Sequence, residues 1–441
     1  MTERSEVRAQ HRMTHAYDPA ALSTALHAWR ERPIEPFETG FTGTGATTAA
    51  ELVDRKVRLR GGELTFPLMV IRESALSSNI ATLAAWCADQ RVELAPHGKT
   101  TMSPELIARQ LEAGAWGVTA ATIGQVRAYL DFGVRRVVLA NQLVDPAGIG
   151  WLARATTEDP DLTVIGYVDS REGVALLDRE LTRHGATRRL PVLVELGLTG
   201  RRTGARSMEA AMAVAQAVAN TSTLAVAGAT GYEGVVGHGR TPEQLDAVAA
   251  FCRDIRALGL RLRDEGLVDP AQELLLSAGG STYFDVVARE LVGDPATAVL
   301  RSGGYVTHDE GLYGPSTPLP TGGSPYELRA ALEVWAYVLS RPEAGRALVG
   351  AGRRDLPFDV ELPVVYRIVS PKGSERHAVG AVVSALNDQH AFIDLPRDAE
   401  VAVGDLVAFG ISHPCTAFDK WRVIPVLDDD DRIVEIAHTL F

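Results

Sequence analysis

From about residue 66 the chain settles into a repeat in which a short apolar run is followed by a longer amphipathic one. The apolar runs are "FPLMVI", "VELAPHG", "WGVTAAT", "RVVLAN", "LTVIGYV", "LPVLVELGL", "LAVAGATGYEG" and "ELLLSAGG". Between them, stretches such as "SALSSNIATLAAWCADQ" and "TPEQLDAVAAFCRDIRALGLRLRDEG" space their apolar residues as a helix face does. Apolar runs too short for helices, alternating with helices of ten or more residues, predict βαβ units and a parallel sheet. Roughly eight such units over ~250 residues is the size of a closed (β/α)8 TIM-type barrel. A doubly wound sheet is the alternative, but no G-x-G-x-x-G opens the first helix.

The two ends of the chain follow other patterns. A helix is predicted near 18–31, followed by a Gly/Thr-rich loop, "ETGFTGTGATTAA". Beyond about residue 325 one more helix is expected over "SPYELRAALEVWAYVLSRP". After it come β-type segments: "DVELPVVYRIVS", "HAVGAVVSALN", "HAFIDLP", "GDLVAFGIS", "KWRVIPVLD" and "RIVEIAHTLF". The expected organisation is an N-terminal helical extension over 1–50, the barrel over 51–325 and an all-β C-terminal domain over 326–441. Residues 51–65, just ahead of the barrel, are candidates to join the β domain.

Composition narrows the class without changing the fold. The 441 residues are 46% hydrophobic and 23% charged, as in an ordinary globular protein. The excess of 56 acidic over 44 basic side chains, a net charge of −12, argues against nucleic acid or an anionic membrane as partner. No run reaches the ~18 apolar residues of a membrane span. The polar start "MTERSEVRAQHRMTH" has no apolar signal core, so a cytoplasmic location is expected. Three cysteines do not make a disulfide framework: Cys87 and Cys252 fall in helical patterns, and Cys415 has different neighbours.

Chemistry in such a barrel sits at the C-terminal ends of its strands, and several unusual residues fall there. Lys99 follows "VELAPHG", Arg202 follows "LPVLVELGL", and Tyr232, Glu233 and His238 follow "LAVAGATG". "SAGGST" follows "ELLL", and "RSGGYVTHDEGLY" follows the next apolar run. A strand-end lysine can form a Schiff base with an aldehyde cofactor. Gly279, Gly280, Ser281 and Thr282 offer backbone N–H groups and two hydroxyls at a strand-to-helix turn, a cradle for phosphate. Arg202 can polarise a cofactor ring or its phenolate. Taken singly, each has a plainer reading: a strand-end lysine is most often a surface charge, a Gly-Gly-Ser-Thr stretch a turn, and a tyrosine a packed ring with a wet tip. Their placement together, in order, at one end of the barrel points to pyridoxal phosphate.

A second cluster is "FGISHPCTAFDKW". If "SHPC" is extended, His413 and Cys415 face the same way and can share one metal ion. Imidazole with thiolate suits zinc, and two protein ligands leave positions open for water or substrate. A buried cysteine beside a core histidine is the plainer alternative. His390, in "NDQHAF", is a further candidate that reads equally well as a loop histidine.

The motifs "PHGKT", "WGVTAATIGQV", "VVLANQLVD", "VELGLTGRRTG", "GYEG" with a following His, "SAGGSTYFD", "THDEGLY" and "SHPCTAFDKW" together resemble the D-threonine aldolase / D-serine dehydratase-like family, in its amino acid deaminase branch. The resemblance covers about residues 60–441 in order. It implies the alanine racemase-like barrel of the fold-type III pyridoxal phosphate enzymes. It also implies Lys99 as the Schiff-base lysine, Arg202 as the cofactor-side arginine, and Tyr232 and His238 as active-site residues. Gly279 to Thr282 would be the phosphate loop, Tyr305 a further cofactor contact, and His413 with Cys415 the metal pair. The aldolase branch often carries His where this chain has Thr101, and Asp is the other residue found at the Cys415 position. Both features lean towards the dehydrating members.

The implied activity is a lyase that turns a D-β-hydroxy amino acid, such as D-serine or D-threonine, into a 2-oxo acid and ammonia. Lys99 would take the α-proton and zinc would ease departure of the β-hydroxyl. The alternative is D-threonine aldolase chemistry, giving glycine and an aldehyde, with His238 assisting. An amino acid racemase ranks third, since no second-base tyrosine motif is evident, beside a non-enzymatic cofactor carrier built on the barrel alone. A homodimer is implied by the resemblance.

Overall fold

The computed structural model describes residues 16–43, 45–237, 239–319 and 325–441. The chain divides into two compact units: one takes residues through Ser23 with 83–99 and 108–303, the other 24–82, 100–107 and 304–441. The helix predicted near 18–31 forms over Pro19–Arg30. Among the described residues no helix is long and apolar enough to cross a membrane.

The first strand of the ladder system, β1 (Leu68–Arg72), belongs to the second unit. The first unit contains β2 (Glu93–Leu94), β3 (Val118–Ala120), β4 (Arg136–Gln142), β5 (Thr163–Val168), β6 (Leu190–Leu196), β7 (Leu224–Gly231), β8 (Leu274–Ala278) and β9 (Ala296–Leu300). These eight strands form one parallel sheet in the order β2-β9-β8-β7-β6-β5-β4-β3. Its two edges meet: His97 bridges Thr119 in parallel, and the Trp116 and Thr119 amides donate to the Leu94 and Pro96 carbonyls at 2.7 and 2.8 Å. The result is the (β/α)8 barrel that the alternating pattern predicts.

Local chemistry sets the helix starts. Thr122, Asp145, Ser170, Ser207 and Thr241 each cap a helix by accepting the backbone N–H three residues on. Inside the barrel, Ala95, Val138, Ile165, Tyr167, Leu193, Ala227, Leu275 and Val299 fill one contiguous core with Trp116. Six of the eight strands, together with Ala95 just beyond β2 and Trp116 just ahead of β3, supply these side chains; the filled interior is a packed core, not a pore.

The second unit is built on β10 (Leu332–Glu343), β11 (Arg346–Val349), β12 (Val364–Val369), β13 (Glu375–His377), β14 (Val382–Leu386), β15 (Ala391–Asp394), β16 (Leu406–Gly410), β17 (Val423–Leu427) and β18 (Ile433–His438). The path β13-β12-β16-β10-β11-β15-β14 is antiparallel throughout, and β1 pairs with β10 and β17. The all-β C-terminal character predicted from the sequence is therefore present.

Two expectations are corrected here. "FPLMVI" is not a barrel strand: β1 pairs Leu68 with Trp335 and Ile71 with Leu332 in the β unit. A run buried on both faces looks the same in a barrel and in the middle of a mixed sheet, so periodicity alone does not separate them. "SPYELRAALEVWAYVLSRP" is not a helix either, because its second half is β10. The β-favouring Val334 and Trp335 lie between β1 and β16, and pairing on both sides overrides the helical propensity of "LRAALE".

Glu333 on β10 is the polar hub of this sheet. Its Oε2 accepts Nε of Arg72 at 2.8 Å, Nε1 of Trp335 at 2.9 Å and Nη2 of Arg367 at 3.0 Å, with both oxygens little exposed. Removing one partner of a shielded ionic group strands the others. Glu333→Ala is expected to cost about 3 kcal/mol of stability, read as a lowered denaturant midpoint at unchanged slope. A midpoint within error of the parent would show that the hub is replaceable by water.

Candidate active site

Along the barrel strands, the residues two positions beyond the apolar layer point the same way and turn polar. Leu275 is followed by Ser277, Val299 by Arg301, Leu193 by Glu195, Ala140 by Gln142 and Ala95 by His97. Arg301 is buried and its guanidinium donates to Ser277 Oγ at 2.6 Å, Thr230 Oγ1 at 3.3 Å and the Gly231 carbonyl at 2.9 Å. The Tyr167 hydroxyl is 3.1 Å from Thr230 Oγ1, and Gln142 Nε2 donates to Glu195 at 2.6 Å. This layer floors the C-terminal mouth of the barrel.

Lys99 stands at that mouth, exposed, in the 3-10 turn Gly98–Thr100. The turn is fixed from below: a Cβ on residue 98 would come within 2.5 Å of the Tyr129 hydroxyl, so only glycine fits. His97 lies beside Lys99, Arg301 and Arg202. Burial first, and then those cations, push its imidazole well below the ordinary range, so the ring is neutral.

Arg202 lies over the Tyr232 ring at 4.9 Å, within cation–π range. Gly279, Gly280, Ser281 and Thr282 form the turn after β8, with Gly279 at φ +101 and its missing Cβ facing Leu300 Cδ2 at 2.6 Å. The N–H groups of Gly279 and Gly280, which sequence reading offers to a phosphate, donate instead to the two oxygens of fully buried Glu233, at 2.9 and 2.6 Å. Arg240 anchors the far side of the turn through the Thr282 carbonyl and an ion pair with Asp285 at 2.7 Å. That leaves Ser281, half-buried, and Thr282, buried, as the loop's own polar side chains. His238 lies outside the described residues.

The second unit holds the remaining candidates. "SHPC" is not extended: Pro414 has φ −58 and ψ −41, and Cys415 opens the short helix Cys415–Phe418. Proline suits the entry of a helix, where its missing N–H costs nothing. His413 and Cys415 nonetheless come together. Burial works against the imidazolium, but hydrogen bonding and charge from Cys415, then from Asp359, outweigh it and raise His413 to about 9. His413 Nδ1 is 2.6 Å from Asp359 Oδ2, and Asp359 also accepts Thr416 Oγ1 at 2.6 Å. Cys415 Sγ lies 3.4 Å from Oγ1 of Thr100, the residue after Lys99. Among the described residues no group of three or more His, Cys, Asp and Glu converges as a metal cluster. The donor pair itself fits a metal: a carboxylate orients Nδ1, leaving Nε2, and a thiol shares its neighbourhood. Tyr305 is buried in a 3-10 turn whose neighbour Val306 is held by Asn79 at 3.2 Å. His390 is exposed in the turn between β14 and β15. Thr101 is buried, its Oγ1 accepting the Ser103 N–H.

Sequence reading gave Arg301, His97 and Asp359 no role. The period of 2 along the strands could have exposed the first two, each two residues beyond an inward apolar position. Nothing in the sequence ties Asp359 to His413, 54 positions away.

A curled parallel barrel joined in one chain to antiparallel sheets is the alanine racemase-like fold, and comparison with solved structures agrees. The fold matches an alanine racemase-like protein of Idiomarina loihiensis with TM-score 0.69 at 19% identity, over 85% of this chain and 96% of the other. It also matches D-threonine aldolase from Filomicrobium marinum (TM-score 0.73, 24% identity, 87% and 97% covered) and D-threo-3-hydroxyaspartate dehydratase from Delftia sp. HT23 (0.69, 21%, 86% and 98%). Two further structures of D-threo-3-hydroxyaspartate dehydratase are a histidine-to-alanine variant and a cysteine-to-alanine variant, the latter in a metal-free form. Residues 331–427 match the family described as putative serine dehydratase domain. In sequence the chain is 25% identical to D-threonine aldolase of Arthrobacter sp over 82% of its length and 89% of the relative's. It is 26% identical to 3-hydroxy-D-aspartate aldolase of Paracoccus denitrificans (strain Pd 1222) over 69% and 76%. The chain is thus a homologue of these D-hydroxy amino acid lyases, and the resemblance read from its motifs is borne out.

Glu233 gives the loop a test of its own. Glu233→Ala leaves two shielded N–H groups without acceptors, at a cost of roughly 3 kcal/mol. Amide hydrogen exchange at Gly279 and Gly280 is expected to quicken relative to the β8 amides. Unchanged protection would mean that the carboxylate does not hold the turn.

Proposed function

We propose that this chain is a pyridoxal phosphate- and metal-dependent lyase that dehydrates D-β-hydroxy amino acids, of the D-serine or D-threonine type, to a 2-oxo acid and ammonia. The observation that carries the reading is Lys99. Its amine stands at the barrel mouth without a hydrogen-bond or ion-pair partner among the described residues, next to two anchored arginines and a neutral histidine. The likeness to D-threonine aldolase over 82% of the chain supports the same class.

The cofactor, when bound, would supply an aldehyde carbon and an aromatic ring able to take up the electron pair left at the substrate Cα. Lys99 Nζ would hold the aldehyde end and, once released from it, take the α-proton. Ser281 and Thr282 would bind the phosphate, while Glu233 keeps Gly279 and Gly280 in the shape the turn needs. Arg202, stacked on Tyr232, and Arg301, fixed by three acceptors, would place positive charge beside the ring. Tyr232, Tyr305 and His238 remain proposed members of the site.

His413 and Cys415 would hold the metal, with zinc favoured by an imidazole–thiolate donor set. The ion would supply a Lewis acid that makes the β-hydroxyl a better leaving group. Asp359 fixes the tautomer by holding Nδ1, which leaves Nε2 as donor to the metal. The metal-free form recorded for a variant of the hydroxyaspartate dehydratase supports a metal requirement in proteins of this fold. The working form proposed is a cytoplasmic homodimer.

Aldol cleavage to glycine and an aldehyde is the second reading, favoured by the aldolase names of the two sequence relatives. Dehydration is preferred because Cys415 and Thr101 stand where aldolase-type residues would be Asp and His.

Purified protein with pyridoxal phosphate and zinc is expected to release 2-oxo acid and ammonia from D-serine and D-threonine but not from the L-isomers. A chelator should abolish turnover while leaving the cofactor's absorption band, and zinc should restore it. Cys415→Ala is expected to lower kcat on the order of 100-fold or more with the band intact, and Lys99→Ala to lose the band. Glycine and acetaldehyde from D-threonine, without 2-oxo acid, would replace the dehydratase with the aldolase. Protein that takes up no cofactor would end both readings.

A further inference from the structure

Two polar atoms at the barrel mouth lack partners, and they sit two residues apart. His97 Nδ1 is buried with no hydrogen-bond partner. Lys99 Nζ has none among the described residues. Their Cα atoms can be no more than about 7 Å apart, since two residues of fully extended chain reach no further.

The chemistry of the two atoms is complementary. The His97 ring makes a hydrogen bond to the Thr119 backbone that favours the protonated ring, so the ring donates there, to a carbonyl. A neutral imidazole that donates from one nitrogen carries a bare lone pair on the other. Nδ1 is therefore an acceptor in want of a donor. Of the cations beside it, Arg301 already donates to Thr230, Ser277 and Gly231, and Arg202 is stacked on Tyr232. Of the three, Lys99 starts only two residues from His97, and its charge bears on the ring most strongly.

We propose that His97 Nδ1 is the docking point of the Lys99 amine, accepting a hydrogen bond from Nζ whenever Lys99 is not bonded to the cofactor aldehyde. The inference rests on the function proposed above and assigns His97 as a positioning residue. As a neutral amine, Lys99 gives one N–H to Nδ1 and keeps its lone pair free for the substrate α-proton. After taking that proton, the ammonium keeps the same bond, so the proton stays on Nζ and none passes to the imidazole. A flexible four-carbon side chain thereby gains a fixed end at the moment it would otherwise swing free.

The test is imidazole nitrogen NMR on the cofactor-free protein. Lys99 is exposed, so Lys99→Ala removes the donor without disturbing the core. The His97 Nδ1 resonance is expected to move from a hydrogen-bonded to a bare position in Lys99→Ala, and the wild-type resonance to make the same move when pyridoxal phosphate is added. An Nδ1 resonance identical in wild type and Lys99→Ala overturns the proposal. A shift in Lys99→Ala without any response to pyridoxal phosphate upholds the pairing and removes the cofactor reading, so the two failures are distinct. In the loaded enzyme, His97→Ala is expected to lower kcat by 10- to 100-fold, on the order expected for a misplaced catalytic group, with KM little changed. His97→Asn, whose carboxamide can still accept near the Nδ1 position, should recover most of the loss. A His97→Asn variant no better than His97→Ala counts against the proposal.

Discussion

Everything at the barrel mouth depends on how the parallel sheet closes. β2 has two residues and β3 has three, too few to hold an eight-stranded cylinder shut by an ordinary ladder. The seam is made by the segment that follows β2. Its carbonyls at Leu94, Ala95 and Pro96 accept the Trp116 amide, the Thr119 hydroxyl and the Thr119 amide, at 2.7, 2.6 and 2.8 Å. Pro96 can take part because a proline lacks a donor but keeps its acceptor. The chain must then leave the seam at once, and it does so through Gly98, pressed against the buried Tyr129 hydroxyl. The position of Lys99 follows from closure and from that one glycine.

Closure also decides the electrostatics. Once each strand is locked in register, the inward positions one step past the apolar core cannot avoid one another, and they are filled by polar groups that largely satisfy themselves. Arg301 is held by three acceptors, Glu195 takes Gln142, and Glu233 takes the two amides of the 279–280 turn. The acceptors in the bonds that hold Arg301 are hydroxyls and a carbonyl, with no carboxylate among them. His97 answers by remaining neutral, because a further cation beside Lys99, Arg202 and Arg301 would be costly in a shielded place. The mouth is thus set up to receive negative charge at defined points, a preorganised field that needs no rearrangement when charge arrives.

Much of this was legible in the sequence, for identifiable reasons. Seven of the eight apolar runs read by period are barrel strands, and Thr122, Ser170 and Thr241 mark helix starts with residues that have few other uses there. Lys99, Arg202, Tyr232 and the 279–282 turn stand out because strand ends in a barrel are where odd residues collect. What could not be read is whatever depends on pairing at a distance. β1 escapes because a doubly buried strand has no face to betray it, and β10 because "LRAALE" favours a helix until β1 and β16 pair with it. An extended 412–415 stretch would let His413 and Cys415 share a face, but Pro414 is as much at home at the entry of a helix. The claim of Glu233 on the amides of Gly279 and Gly280 joins residues 46 and 47 apart and leaves no local signature.

Downstream of Lys99 the chain enters the second unit, which secures its own segment by different means. The boundary between the two compact units falls between Lys99 and Thr100. Residues 100–107 are secured within the β unit by a buried chain of bonds. Ser103 Oγ donates to Glu105 at 2.9 Å, Glu105 meets His438 Nδ1 at 2.7 Å, and the Leu440 amide donates to the Met102 carbonyl at 3.0 Å. The last strand of the chain thus pins the segment that begins one residue after the lysine, and Cys415 touches that same segment through Thr100. Within the barrel unit, closure and Gly98 fix the backbone of Lys99, and its side chain has its own rotamers left to search. Catalytic groups need placement to within about half an ångström, so the remaining freedom must be removed by something the Lys99 side chain itself touches. Backbone anchoring by the closed barrel and a bare acceptor two residues away are two halves of one solution to that requirement.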